Sequence, residues 1–135
     1  MISFYDKNRK IVLKLSDFNS DYQIETRIKF TANISYAFFT ASSDIEDFKV
    51  YLENFSNELK LLYDSKVETA QFVPFERQIE IYFKQFDFDK ILVTIKLNHS
   101  VIDYRECVST LTIQYEIDQS FIPDLINEIN IVLAL

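Results

Sequence analysis

Few residues in this chain could do nucleophilic or metal chemistry, and those few lie close together. His99 is the only histidine and Cys107 the only cysteine, and the segment between them also holds Asp103, with Glu106 beside the thiol. A thiol nucleophile needs a base within hydrogen-bond reach and a third group to orient that base. Cys107, His99 and Asp103 could in principle supply these three parts. The surrounding pattern favours a simpler reading, because Cys107 opens an alternating apolar run and His99 stands among turn-forming residues. A structural thiol and a solvated histidine fit those positions. Zinc would need four ligands at a recognisable spacing, and one His, one Cys and scattered carboxylates do not provide it. Asp87 and Asp89 flank Phe88 in an expected hairpin turn, where paired acids are ordinarily solvated rather than cation-bound. We assign no catalytic residues, cofactor or metal ligands, and expect a binding protein rather than an enzyme.

The composition supports that expectation. The chain has 135 residues and no glycine. Glycine supplies the positive φ angles and close backbone approach on which phosphate-cradling loops, dinucleotide fingerprints and nucleophile elbows depend. Turns fall instead to Asn, Asp and Ser, as in Asp6-Lys7-Asn8-Arg9, Asp17-Phe18-Asn19-Ser20-Asp21 and Asn98-His99-Ser100. Acidic residues outnumber basic ones 21 to 14, for a formal net charge of -7. Such a surface repels nucleic-acid phosphates and anionic membranes and favours basic partners, so direct nucleic-acid or membrane binding is not expected. The chain opens without the basic start and apolar run of a signal peptide, and charges interrupt every hydrophobic stretch, which suits the cytosol.

Periodicity indicates the elements that would position a binding surface. Ile2 and Phe4 alternate before a polar turn, and Ile11, Leu13 and Leu15 alternate after it, as in a hairpin. Tyr22, Ile24, Thr26, Ile28 and Phe30 share one face of a long strand whose other face carries Gln23, Glu25, Arg27 and Lys29. Asn33 interrupts that pattern, and residues 34–40 resume as a short strand. The period changes at Ser43, where Ser43-Asp44-Ile45-Glu46 has the form of a capping box. Ile45, Phe48, Leu52, Phe55, Leu59 and Leu62 then form one apolar stripe of a long helix. Strands return at 67–73, at Ile79, Ile81 and Phe83, at Ile91 to Leu97 in alternation, and from Ser109 to Ile117. The links between the last three are too short for a parallel crossover. A second helix begins near Ser120, buries Ile122, Leu125, Ile126, Ile129, Val132 and Leu133, and carries Pro123 and Asp124 in its first turn. The expectation is a single α+β domain, 1–135, with an antiparallel sheet of about six to eight strands, one long helix after the first strands and a C-terminal helix packed on it.

The remaining candidates lie on the surface. Asp44, Glu46, Asp47 and Glu53 on the expected first helix, with Asp87, Asp89, Asp103 and Glu106 on late loops, could face a basic partner. Aromatics such as Tyr51, Tyr82 or Tyr104 would supply contact area.

Taken in order, the strand 11–15, the long strand 22–30, the segment Phe38-Phe39-Thr40-Ala41-Ser42-Ser43-Asp44-Ile45-Glu46-Asp47-Phe48 and the ending Ile113-Gln114-Tyr115-Glu116-Ile117-Asp118-Gln119-Ser120-Phe121-Ile122-Pro123-Asp124-Leu125 resemble the WapI-type immunity proteins of bacterial polymorphic toxin systems. The resemblance spans nearly the whole chain. It implies a cytosolic protein that neutralises a cognate toxin by tight one-to-one binding, blocking the toxin's active site or its access to substrate. The acidic balance would suit a basic toxin such as a nuclease. Three other classes remain open at this point: a small-ligand-binding protein or enzyme with a pocket between helix and sheet, a phage-type inhibitor of a nucleic-acid-binding protein, and a self-associating structural subunit. The oligomeric state is not fixed by the sequence.

Overall fold

A computed structural model describes residues 1–20, 26–101 and 107–135. Tyr22 and Ile24 of the expected long strand, and Asp103, Tyr104 and Glu106, lie outside the described residues. In chain order the elements are β1 (Ile2–Tyr5), β2 (Ile11–Ser20), β3 (Arg27–Tyr36), β4 (Phe39–Phe48), α1 (Lys49–Tyr63), β5 (Thr69–Phe72), β6 (Ile79–Asp87), β7 (Lys90–Val101), β8 (Cys107–Asp118), a 3-10 turn (Gln119–Phe121) and α2 (Ile122–Leu133). The fold is α+β, but its strands form two antiparallel sheets of four, β1-β2-β3-β4 and β5-β6-β7-β8, instead of one. Each sheet is a meander followed by a helix, so the same order of elements occurs twice without a sequence repeat to announce it.

The two sheets turn their apolar faces toward each other. Ile28, Phe30, Ala32 and Ile34 of β3 alternate inward, as do Ile91, Val93, Ile95 and Leu97 of β7, because successive side chains on a strand point to opposite faces. Rings bridge the gap between the sheets: Phe4 meets Phe83 at 6.3 Å, Phe30 meets Phe72 at 6.2 Å and Tyr36 stacks on Tyr115 at 6.0 Å. Helix α1 packs on β5 and α2, and α2 packs on β1. Phe55 of α1 lies 5.7 Å from both Phe72 and Phe83 of the second sheet, and buried side chains from both sheets and both helices form one hydrophobic core. Ser56 Oγ donates to Asn130 Oδ1 at 3.0 Å and ties the helices together.

Helix α1 begins at Lys49, six positions after the expected Ser43 start. The Ser43-Asp44-Ile45-Glu46 segment lies in β4, which pairs along the full length of β3, with Asp44 opposite Thr31 and Glu46 opposite Lys29. A capping interaction contributes about 1 kcal/mol, and a continuous ladder that also buries Ile45 outweighs it. Asn33 does not break β3; the chain reverses at Ala37 and Phe38, between the paired residues Tyr36 and Phe39. Asp17-Phe18-Asn19-Ser20 forms no turn either. It belongs to β2, where the register shifts between Ser16 and Asn19 and Asp17 takes a positive φ, as in a bulge. Asn98-His99-Ser100 likewise continues β7. The polar turn at Asp6 is as expected, with its carboxylate accepting the N–H groups of Asn8 and Lys10.

Candidate protein-binding surface

The β3–β4 and β6–β7 turns carry aromatic rings where a soluble protein ordinarily places Asn, Asp or Gly. Antiparallel register puts the β1–β2 and β3–β4 turns at the same end of their sheet. The β6–β7 turn and the exit of β8 share one end of the other sheet. Two contacts run between the sheets here: Tyr36 stacks on Tyr115, and the Arg9 guanidinium lies 5.4 Å above the Phe121 ring, while Gln119 N–H donates to the Asp89 carbonyl at 3.0 Å within the second sheet.

At the β3–β4 tip, Ala37 adopts a φ of 53° without being glycine, and Phe38 stands fully in solvent with Phe39 half exposed beside it. A left-handed non-glycine residue costs on the order of 1 kcal/mol. At the β6–β7 tip the Asp87 carboxylate accepts the Phe88 N–H at 2.7 Å, and Gln85 Nε2 donates to the Phe88 carbonyl at 3.0 Å. These bonds fix the turn while Phe86 and Phe88 face water, Phe88 at 89% exposure. Neither pair of rings contributes to the core.

The expected acids are not gathered into one patch. Asp44 and Glu46 project from the outer face of β4, Asp44 accepting from Thr31 Oγ at 2.9 Å and Glu46 pairing with Lys29 Nζ at 3.2 Å. Glu53 is exposed on α1, and Asp87 and Asp89 are exposed at the β6–β7 tip. Asp47 faces inward at 4% exposure and is no surface group. Its Oδ1 accepts the Phe75 N–H at 3.0 Å, while its Oδ2 is buried without a partner. Burial pushes its pKa above the ordinary aspartate value, against the lowering effect of the Phe75 and Phe48 N–H groups. Tyr51 is half buried against the core, and the Tyr82 hydroxyl donates to Glu80. Glu80 itself is held below its usual range: partial burial raises it, but hydrogen bonds from Tyr82 and Asn98 and the charges of Lys96 and Arg77 prevail.

His99 is an exposed strand residue opposite Ser109, and the Cys107 backbone pairs with Val101. Among the described residues no group of three or more His, Cys, Asp or Glu side chains could hold a metal ion. No helix among them is long and apolar enough to cross a membrane.

An open groove of about 570 Å³ is bounded by β1, β8, the 3-10 turn and α2, with Phe4, Phe83, Ile117 and Leu125 among its walls. Arg9 and Phe121 line it as well.

Residues 5–135 match the model of the Immunity protein WapI-like family. The chain belongs to the WapI-like immunity protein family. That membership covers all elements from the end of β1 to α2 and confirms the resemblance drawn from the strand and helix patterns. It points to a role in toxin immunity and to a protein toxin as the partner. No curated protein and no solved structure matches the chain. For a WapI-like immunity protein the aromatic tips are the part of the surface that sequence reading missed. The signal was present in Phe88, which the sequence already places in a hairpin turn between Asp87 and Asp89, whereas Phe38 falls inside the strand expected over 34–40.

Proposed function

We propose that this WapI-like protein neutralises a cognate toxin by one-to-one protein–protein binding, docking through the exposed hairpin tips that carry Phe38, Phe39, Phe86 and Phe88. The observation that carries this reading is the full exposure of Phe38 and near-full exposure of Phe88 on two fixed hairpin tips. Exposed rings on ordered backbone cost solubility and add nothing to folding, whereas aromatic anchors supply much of the energy of protein interfaces. Asp87 and Asp89 frame one tip and would draw in a basic surface. Asp44, Glu46 and Glu53 add to a net charge of -7 that favours association with a basic toxin, possible targets including a nuclease whose phosphate-binding surface the carboxylates would occupy. Blocking that surface needs no catalysis by the immunity protein.

Affinity capture on the tagged chain in its native host tests this reading. The expected product is one basic protein in near-equal amount, whose association slows as salt is raised, since the attraction between exposed charges is screened. Recovery of the chain with no stoichiometric protein partner would refute it.

A further inference from the structure

Strands β1, β4, β5 and β8 stand at the sheet edges, and β1 and β5 have only four residues each. Short strands, prolines, lysines and bulges ordinarily protect an edge from pairing with another chain. Strand β4 has ten residues, none of them Pro or Lys, and its ladder with β3 runs without a register shift. Lys49 N–H donates to the Thr26 carbonyl at 2.8 Å, which fixes the phase of that ladder. Bonded pairs in an antiparallel ladder alternate with non-bonded ones. Ala41, Ser43, Ile45 and Asp47 therefore bond to β3, while Thr40, Ser42, Asp44 and Glu46 turn their N–H and C=O groups to the free edge. The C-terminal half of this edge is partly covered, since Gln78 Nε2 lies 3.5 Å from the Asp44 carbonyl and Phe75 N–H donates to Asp47 Oδ1. Thr40 and Ser42 are exposed, and among the described residues no strand pairs with this half of the edge and no backbone group bonds to it.

Unpaired backbone groups on an unbent edge call for another extended backbone, which presents donors and acceptors at the matching repeat. The two faces of β4 define the side chains that such a strand should carry. Ala41 and Ser43, the inward residues at this level, are small, and with Leu97 and Leu111 they line a groove of about 450 Å³. Alternate side chains of an added strand point into that groove, where apolar groups fit. On the outer face Thr40 and Ser42 are followed by the exposed carboxylates of Asp44 and Glu46. Lys29 Nζ already lies 3.2 Å from Glu46 across the β3–β4 ladder. Opposite charges on neighbouring strands attract, so the outward positions of the added strand suit lysine or arginine. A second copy of this chain fits poorly, because it would bring its own Asp44 and Glu46 and a net charge of -7 to the same place. Strand β4 begins at the half-exposed Phe39, so a strand on its edge continues directly from the Phe38-Phe39 tip.

Resting on the toxin-binding reading, we infer that the free half of the β4 edge receives an extended segment of the toxin as an added strand with alternating apolar and basic side chains. Backbone hydrogen bonds to Thr40 and Ser42 hold the segment, its apolar side chains enter the groove, and its cations meet Asp44 and Glu46. Phe38 and Phe39 pack at the end of the same contact.

The test is amide hydrogen exchange on the full isotope-labelled chain, first with a capped hexapeptide of alternating lysine and valine and then with the captured toxin. In the free chain Ala41 and Ser43 should exchange slowly and Thr40 and Ser42 fast, since only the first two bond to β3. Thr40 and Ser42 are expected to slow saturably with the peptide, and by about tenfold or more in the toxin complex. A counterpart peptide whose backbone nitrogens are methylated should leave them fast. Ser42→Pro removes one outward N–H at an edge position that tolerates proline. It is expected to unfold close to the parent temperature and to weaken toxin binding by about tenfold or more, whereas Thr112→Pro, on the edge strand β8, leaves binding unchanged. Fast exchange at Thr40 and Ser42 with the peptide in excess, equal slowing by its methylated counterpart, or a toxin complex in which these amides stay fast would each overturn the added strand. Unchanged toxin binding in Ser42→Pro would do the same. Slowing that appears in the chain alone as its concentration rises would make a second copy the occupant and overturn it too. Failure to capture any toxin would count against the toxin-binding reading itself, on which the peptide measurement does not depend.

Discussion

Tyr36, at the end of β3, stacks on Tyr115 of β8 with ring centroids 6.0 Å apart, so the hairpin that holds Phe38 is braced against the opposite sheet. Burial pushes the Tyr115 phenol well above its usual pKa, with the charges of Asp6 and Tyr36 adding to the effect, and the ring stays neutral at physiological pH. Replacing Tyr115 by Leu removes the stack while keeping an apolar side chain. The expected cost is about 0.5–1.5 kcal/mol beyond the area lost, read by urea unfolding. Faster amide exchange at Tyr36 and Phe39 would show that the brace holds the hairpin.

Phe38→Ala and Phe88→Ala should separate binding from folding. Neither ring packs in the core, so each variant should unfold within about 0.5 kcal/mol of the parent. If the tips are anchors, each should weaken the captured partner by tenfold or more, on the order of the 2 kcal/mol typical of interface hot spots. Calorimetric titration alongside thermal unfolding measures both quantities on the same samples.

Asp47 makes the opposite pH contribution from most aspartates. Its pKa is raised in the folded state, so the native protein holds this proton more tightly than the unfolded chain does. Its contribution to stability is greatest below the ordinary value of 3.8 and declines as pH rises from there through the raised folded value. Asp47→Asn keeps an acceptor for the Phe75 N–H and cannot titrate. The stability of Asp47→Asn relative to the parent should therefore increase between pH 3 and pH 7, as measured by denaturant unfolding at both ends. Asp47→Ala, which leaves the Phe75 N–H without its acceptor, should destabilise by about 1–3 kcal/mol.

Phe55 is the point where helix and sheet share a core, stacked on Phe72 and edge-on to Phe83. Phe55→Ala should cost about 3–5 kcal/mol. Glu53→Ala, two positions away on the solvent side of the same helix, should change stability by less than about 0.5 kcal/mol. A similar loss for both would mean that α1 is not seated as described.

The sequence made the alternation of β6, β7 and β8 legible, along with the buried stripe of α2, because period 2 and period 3.6 report directly which face is covered. It could not say what covers that face. Ile81 and Ile95 alternate in the same way whether the strands join one sheet or two. The Ser43 capping box misled because it is a local signal, and the pairing of residues 39–48 with β3 that overrode it spans a hairpin. The candidate surface was harder still to read. Asp44 and Asp47 are three positions apart, yet strand geometry sends one to solvent and the other into the core.

The central claim is that this chain inactivates a protein by occupying it. The most direct measurement is a titration of the captured partner's toxic activity, assayed in vitro, with increasing amounts of the purified chain. Activity should fall in proportion to added chain and reach its floor near one equivalent, and Phe38→Ala/Phe88→Ala should shift the curve to higher concentration. A partner whose activity is unchanged by excess chain would contradict the account.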